Sequence, residues 1–116
     1  MNVFVYYNLH RKLWSIKCLD AGPNKGKVVA HRTEVVLESP KPKVSEAGRQ
    51  RVLKEKQKNV HAGLVGVWRD RKVLLAEGDN ITYNPYKYDT FVYADTKAPF
   101  TGASIAMLLN REVIVI

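Results

Sequence analysis

Short β-prone segments separated by turn-forming residues occupy most of this chain, and this alternation restricts it to a sheet-based fold. Residues 3–7 and 13–19 are rich in β-branched and aromatic side chains, and the residues between them favour a turn, so the two segments predict a hairpin. In the second segment Trp14, Ile16 and Cys18 occupy alternate positions. This spacing predicts that the three side chains face the core together.

The same pattern continues along the chain. Residues 27–38 predict one long strand or two short ones, and Pro40 and Pro42 end that element because proline cannot donate to a sheet ladder. The tail, residues 104–109 and 112–116, predicts a hairpin, although the alanine, methionine and leucine of its first half also suit a short helix. Further strands are predicted at residues 60–68, 72–77, 81–83 and 90–94.

One segment departs from this pattern and predicts a helix over about residues 45–58. Ser45 suits the N-cap, Glu46 suits the positive end of the helix dipole, and Gly48 is the only interruption among the residues that follow. About seven to nine short strands with one main helix indicate an α+β fold. We therefore predict a single domain, residues 1–116, built on a mostly antiparallel twisted sheet or partial barrel.

Charge and cysteine content narrow the functional classes. Nineteen Lys and Arg against eleven Asp and Glu give a net charge of +8, which favours an anionic partner: nucleic acid, a nucleotide or an acidic protein. Cys18 is the only cysteine, so we expect no internal disulfide, no cysteine zinc cluster and a reducing compartment. No segment resembles a membrane span or a signal peptide, so we expect a cytoplasmic protein. We also expect no cofactor.

The densest positive charge lies in residues 41–58, which hold seven basic and two acidic side chains. On a helix, Arg51, Lys54 and Lys58 share one stripe that is free to face solvent. Such a stripe suits the tracking of a nucleic-acid backbone, whereas the commoner alternative is an ordinary solvated helix face. The nucleic-acid-binding residues predicted in this segment are Lys41, Lys43, Arg49, Arg51, Lys54 and Lys58.

The loop at residues 22–27 has only a superficial likeness to a phosphate-binding loop. It is one residue too short, has Val28 where a Ser or Thr should bind magnesium, and leads into a strand instead of a helix. We interpret it as a basic turn that adds Lys25 and Lys27 to the positive surface.

Two catalytic hypotheses rest on weaker patterns. The chain has three histidines, His10, His31 and His61. Two of them could act as an acid–base pair in RNA cleavage, but their spacing fits no metal or catalytic motif. Asp79 followed by Asp95-Thr96-Lys97 has the residue order of a metal-dependent nuclease, although short acid-x-Lys strings are frequent. We therefore favour a protein that is not an enzyme.

An aromatic cluster surrounds Pro85. Its members are Tyr83, Tyr86, Tyr88, Phe91 and Tyr93. Stacking of Tyr86 and Tyr88 on nucleic-acid bases is one interpretation, and packing over one end of the sheet is the more usual outcome.

Residues 45–63, SEAGRQRVLKEKQKNVHAG, together with the opening hairpin and the loop at residues 22–27, resemble small uncharacterised proteins encoded by tailed bacteriophages. The likeness covers about the first two thirds of the chain and carries no active-site motif. It implies an accessory phage protein that acts in a bacterial cytoplasm. Proteins of this class often bind host nucleic-acid machinery or inhibit a defence system.

The leading hypothesis is a non-enzymatic phage-type protein whose basic surface engages nucleic acid or an acidic host protein. Two alternatives stay open. One is an inhibitor of a bacterial defence system that binds a protein or sequesters a nucleotide signal, and the other is a small toxin-like ribonuclease. A flat basic face favours the leading hypothesis, whereas a clustered pocket of His, Arg and Tyr side chains favours the alternatives.

Overall fold

A computed structural model describes residues 1–57, 60–69 and 77–116, which form nine strands and one helix. The elements are β1 (Asn2–Asn8), β2 (Leu13–Cys18), β3 (Val28–Arg32), β4 (Glu34–Val44), α1 (Glu46–Glu55), β5 (Ala62–Arg69), β6 (Asp79–Thr82), β7 (Val92–Tyr93), β8 (Ile105–Leu109) and β9 (Glu112–Val115).

The strands of the described ranges belong to one sheet in the order β3-β2-β1-β5-β4-β8-β9-β6-β7. Neighbouring strands in this sheet are antiparallel throughout. The molecule is therefore mostly antiparallel sheet with one helix, as the sequence predicted. Strands β3 and β7 lie at opposite edges, so the sheet is open and not a closed barrel.

The opening hairpin is confirmed, with Val3 opposite Cys18 and Tyr7 opposite Trp14. Trp14, Ile16 and Cys18 are all buried, as their alternation predicted, and they share the core face with Val3 and Val5.

Ser15 lies on the other face of β2 and is also fully buried, which the alternation did not predict. Its hydroxyl lies 2.9 Å from His31 Nδ1 and accepts a hydrogen bond from Asn8 Nδ2 at 3.3 Å. A small hydroxyl with these partners can be buried without the cost of an unsatisfied polar group.

The prediction that Pro40 and Pro42 end their strand is wrong, because β4 continues to Val44. The register of β4 against β5 shifts between Glu38 and Lys41, which is the signature of a β-bulge, and Ser39 has a φ of 51° there. The ladder with β8 stops at Glu38, and beyond it the Ser39 amide donates to the Ser104 carbonyl and the Pro40 carbonyl accepts from the Ala103 amide. These bonds use no proline nitrogen, so a proline is tolerated where the regular ladder on this side has ended.

The tail forms the hairpin β8–β9, and the alternative of a short helix in its first half is wrong. Strand β8 lies between β4 and β9, and Ala106 and Leu108 are fully buried there. Ladder hydrogen bonds on both sides override the helical preference of these residues. Asn110 provides the turn with a φ of 54°.

The helix begins where it was predicted. Ser45 is the N-cap, and its Oγ accepts a hydrogen bond from the Gly48 amide at 3.2 Å. The helix ends three residues before the predicted boundary, because Lys56 adopts the left-handed conformation and its amide donates to the Val52 carbonyl. Residue Lys58 lies outside the described residues, as does most of the predicted strand at 72–77.

Val36 and Met107, which lie opposite one another in β4 and β8, are buried on one face of the sheet, and α1 adds Val52 to the buried residues. The main core cluster lies on the other face. Its largest fully buried side chains include Phe100, Ile16, Leu37, Leu64 and Leu108. Within the described ranges, α1 is too short and too polar to cross a bilayer. The opposite face of β2, β1, β5 and β4 carries the candidate site.

Candidate nucleic-acid interface

A row of side chains crosses four strands on the face opposite the core. Phe4 of β1 lies opposite Lys17 of β2 and opposite Val65 of β5. Val65 in turn lies opposite Lys41 of β4. Directly opposed residues of antiparallel strands project from the same side of the sheet, so two lysines flank an aromatic ring and a valine there.

Two residues farther along their strands, Tyr6 and Lys43 project from this same side. The ring centroids of Phe4 and Tyr6 are 5.9 Å apart, and Lys43 Nζ lies 5.9 Å from the Phe4 centroid, within range of a cation–π attraction. Both rings are partly exposed. We call the surface made by Phe4, Tyr6, Lys17, Lys41 and Lys43 the aromatic–basic face.

A glycine sets the position of the Phe4 ring. A Cβ atom added at Gly63 would lie 2.7 Å from Phe4 Cε2, so the ring occupies the space that a side chain at this position would need. Glycine lets the ring lie low over β5.

An open pocket of about 250 Å³ adjoins this ring. Its wall includes Phe4, Lys17 and Lys43, and it reaches Ser45 and His61 at the start of the helix. Apolar and aromatic surface beside two ammonium groups can accommodate a flat ring and an attached anion.

His61 is held in place on both sides. A Cβ atom added at Gly48 would lie only 2.6 Å from the His61 Cβ, so the helix packs closely against His61. Its Nε2 lies 2.6 Å from Tyr83 Oη. Burial raises the pKa of the Tyr83 phenol, and the positive charge of Arg49 partly opposes that rise.

The Arg49 side chain is mostly buried and binds backbone carbonyl oxygens. Its Nε donates to the carbonyl oxygens of Pro85 at 3.1 Å and Tyr88 at 3.0 Å, and its side chain is only 16% exposed. A terminal nitrogen of Arg49 lies 3.2 Å from Glu46. The hydrogen bond from Gln50 and the charge of Arg49 lower the pKa of the Glu46 carboxyl.

The other predicted basic residues lie at separate places on the surface. Arg51 and Lys54 are exposed on α1, and Lys25 and Lys27 are exposed in the loop before β3. Lys41 and Lys43 are exposed on β4 and lie on the aromatic–basic face. Lys58 lies outside the described residues.

Sequence reasoning missed three members of the aromatic–basic face: Phe4, Tyr6 and Lys17. A signal was present for the two rings, because they alternate with Val3 and Val5. If the valines face the core, the rings must project from the opposite side.

The cluster around Pro85 is mainly packed. The Tyr83 and Phe91 rings are 5.2 Å apart, and the Tyr93 and Phe100 rings meet edge to face at 5.8 Å. Tyr88 is partly buried and Tyr86 is 60% exposed, so of the two predicted stacking residues one is open to solvent.

The residues of the catalytic hypotheses lie in different environments. His31 contacts Ser15 on edge strand β3, whereas His61 contacts Tyr83 just before β5. Strands β2 and β1 lie between β3, which carries His31, and β5, which His61 precedes, so the two histidines are not neighbours in the sheet. His10 is exposed in the first turn.

The acid-x-Lys string is engaged locally. Asp95 Oδ1 accepts from the Thr96 amide at 2.7 Å, and Lys97 Nζ donates to the Ala94 carbonyl at 2.5 Å. Asp79 lies in β6 opposite Val115. In the part of the chain that the structure describes, no three His, Cys, Asp or Glu side chains are grouped as a metal site would require.

Comparison with known proteins extends the resemblance noted in the sequence. The family model described as Mycobacterium phage L5 gene 82 protein matches residues 1–116. The gene 82 protein of Mycobacterium phage L5 is 45% identical over 119 residues, which cover 97% of this chain and 94% of that protein. No solved structure matches the chain. The predicted phage resemblance is confirmed over nearly the whole chain, which belongs to the family of the Mycobacterium phage L5 gene 82 protein.

Proposed function

We propose that this chain is a phage accessory protein that binds nucleic acid through a basic surface in the cytoplasm of the infected bacterium. The observation that carries this proposal is the aromatic–basic face, where Lys17, Lys41 and Lys43 project from one side of the sheet around two aromatic rings. Lysines contact the phosphates of any sequence, and aromatic rings between them suit bases better than they suit acidic side chains.

The acidic residue of β4 that precedes these lysines most closely in the chain does not cancel their positive charge. Glu38 lies opposite Val67 and projects from the same face, but its carboxylate lies 3.1 Å from Arg69 Nε. The lysines therefore keep their attraction for an external anion.

The helix that follows β4 carries further exposed cations. Lys43 is two residues before the N-cap Ser45, so the lysine-bearing end of β4 leads directly into α1. Arg51 and Lys54 are exposed on that helix and are available to further phosphates.

The shape of the site favours a polymer over a sequestered nucleotide signal. Pockets that enclose small ligands usually measure about 300–1,000 Å³ and bury most of the ligand. The pocket beside Phe4 is open and measures about 250 Å³, so a free nucleotide would remain largely exposed in it. A chain of nucleotides can use the pocket and the lysines outside it together.

Fluorescence anisotropy with labelled DNA and RNA oligonucleotides tests the proposal. We expect binding that weakens steeply with salt. A Lys17→Gln, Lys41→Gln and Lys43→Gln variant should flatten the log–log salt slope by about 2 on a single strand, since each phosphate contact contributes roughly 0.7.

A matched variant separates this site from net charge. Lys12, Lys87 and Lys97 are exposed and lie elsewhere, so changing all three to Gln removes the same charge. The proposal requires this control to keep nearly the whole slope. Equal losses in the two variants, or no binding by the natural chain at low salt, would show that the site is wrong or that nucleic acid is not the ligand.

A further inference from the structure

We infer that the aromatic–basic face selects single-stranded nucleic acid by stacking two bases on Phe4 and Tyr6 while Lys17 and Lys43 hold the backbone. The inference rests on the proposed function and adds the class of nucleic acid and the residues that distinguish it.

The two rings lie in the interior of the sheet and not at its edge. Phe4 and Tyr6 lie at alternate positions of β1, which has β2 on one side and β5 on the other. They therefore stand side by side near the middle of a partly exposed four-strand surface instead of at its rim. Sheets that bind single-stranded RNA use aromatic rings placed in this way.

The two rings are spaced more widely than stacked bases. The centroids are 5.9 Å apart with planes 32° from parallel, whereas stacked bases in one strand of a duplex rise by about 3.4 Å per nucleotide. Two bases that each stack on one ring must therefore separate from one another. A flexible single strand can do this, but a duplex cannot without losing its pairing.

The surroundings of Phe4 provide cations beside the aromatic ring. Its ring lies over Gly63, and the same ring forms part of the pocket wall. Lys17 and Lys43 line that pocket too, so the phosphate of a nucleotide stacked on Phe4 would meet two ammonium groups. A duplex has no unpaired base to place against the ring, and its affinity would depend on the lysines alone.

Anisotropy titrations with a labelled oligothymidylate and with a duplex of equal length test this selection. We expect the natural chain to bind the single strand more tightly. Phe4→Leu and Tyr6→Leu should each weaken single-strand binding by roughly 5- to 150-fold, the loss expected for one stacked base, and should leave duplex binding almost unchanged. Tyr86→Ala removes an exposed ring outside the aromatic–basic face and should have no effect on either.

A measurement on the natural chain avoids any dependence on the folding of variants. An oligonucleotide carrying 5-iodouracil, irradiated in the complex, should crosslink to the peptide that contains Phe4 and Tyr6. Crosslinks confined to the Tyr86 loop or to α1 would overturn the inference.

The outcomes separate this inference from the proposed function. Equal affinity for single strand and duplex, reduced by the Lys17, Lys41 and Lys43 substitutions, would preserve nucleic-acid binding and overturn the single-strand selection. Unchanged affinity in folded Phe4→Leu and Tyr6→Leu variants would do the same. Absence of binding to both probes would overturn both proposals.

Discussion

Arg49 Nε donates a 3.0 Å hydrogen bond to the carbonyl oxygen of Tyr88, a residue 39 positions later in the chain. The same nitrogen lies 3.1 Å from the Pro85 carbonyl, so a single guanidinium fastens α1 to the turn that follows β6. Both acceptors are backbone oxygens of one turn, and the charge of the donor strengthens the bonds.

Replacing Arg49 with Ala should therefore lower the free energy of unfolding by about 2 kcal/mol, the usual value for hydrogen bonds to a charged group. Arg51→Ala provides the control, because Arg51 is exposed on the same helix and should change stability by less than about 0.5 kcal/mol. Urea denaturation measures both. Equal stability of the two variants would contradict the role assigned to Arg49.

Tyr83 predicts a loss of stability in alkaline solution. Its pKa is raised by burial, so the folded state favours the neutral phenol relative to the unfolded chain, where the pKa is about 10. The stabilisation is complete below that value and is lost as the pH rises through the higher pKa of the folded state.

Phenolate absorbance during an alkaline titration can isolate this group. Tyr83→Phe should remove the phenol whose absorbance changes above the usual tyrosine pKa of about 10. Tyr86→Phe is the control, because it removes an exposed phenol. If the component lost with Tyr83 ionises near pH 10, burial does not control this phenol.

Cys18 should react slowly with thiol reagents while the protein is folded. The side chain is 4% exposed on the core face of β2, and its Sγ lies 3.8 Å from the Asp20 carbonyl. Modification then requires opening of the strand, so its rate should rise with urea in step with unfolding. Fast modification at neutral pH without denaturant would mean that β2 has a different register.

Structural features that depend on residues close together in the chain could be predicted from the sequence. Contacts that depend on the order of the strands in the sheet could not. Alternation placed Trp14, Ile16 and Cys18 on one face, and local capping chemistry placed the start of the helix at Ser45. The bulge that carries β4 past Pro40 depends on where the ladder with β8 stops, which no local pattern encodes.

The candidate site divides in the same way. Lys41 and Lys43 stood out because basic residues are dense in that segment. Lys17 became part of the site only because β2, β1, β5 and β4 are neighbours in space. The hydrogen bonds from Arg49 to a distant turn could not be predicted from the sequence either. The sequence predicted that Arg49 binds nucleic acid, whereas in the structure its Nε binds two backbone carbonyls.

Gly63→Ala should destabilise the protein by about 3 kcal/mol, at the upper end of what overpacking costs. The added Cβ would collide with the Val5 carbonyl oxygen and would lie 2.7 Å from Phe4 Cε2. Because the nearest obstacle is backbone, shrinking the ring cannot relieve most of the strain. A double-mutant cycle with Phe4→Ala, followed by chemical denaturation, should therefore give a coupling much smaller than the cost of Gly63→Ala alone. A coupling that cancels this cost would show that the ring, and not the β1 backbone, requires glycine at position 63.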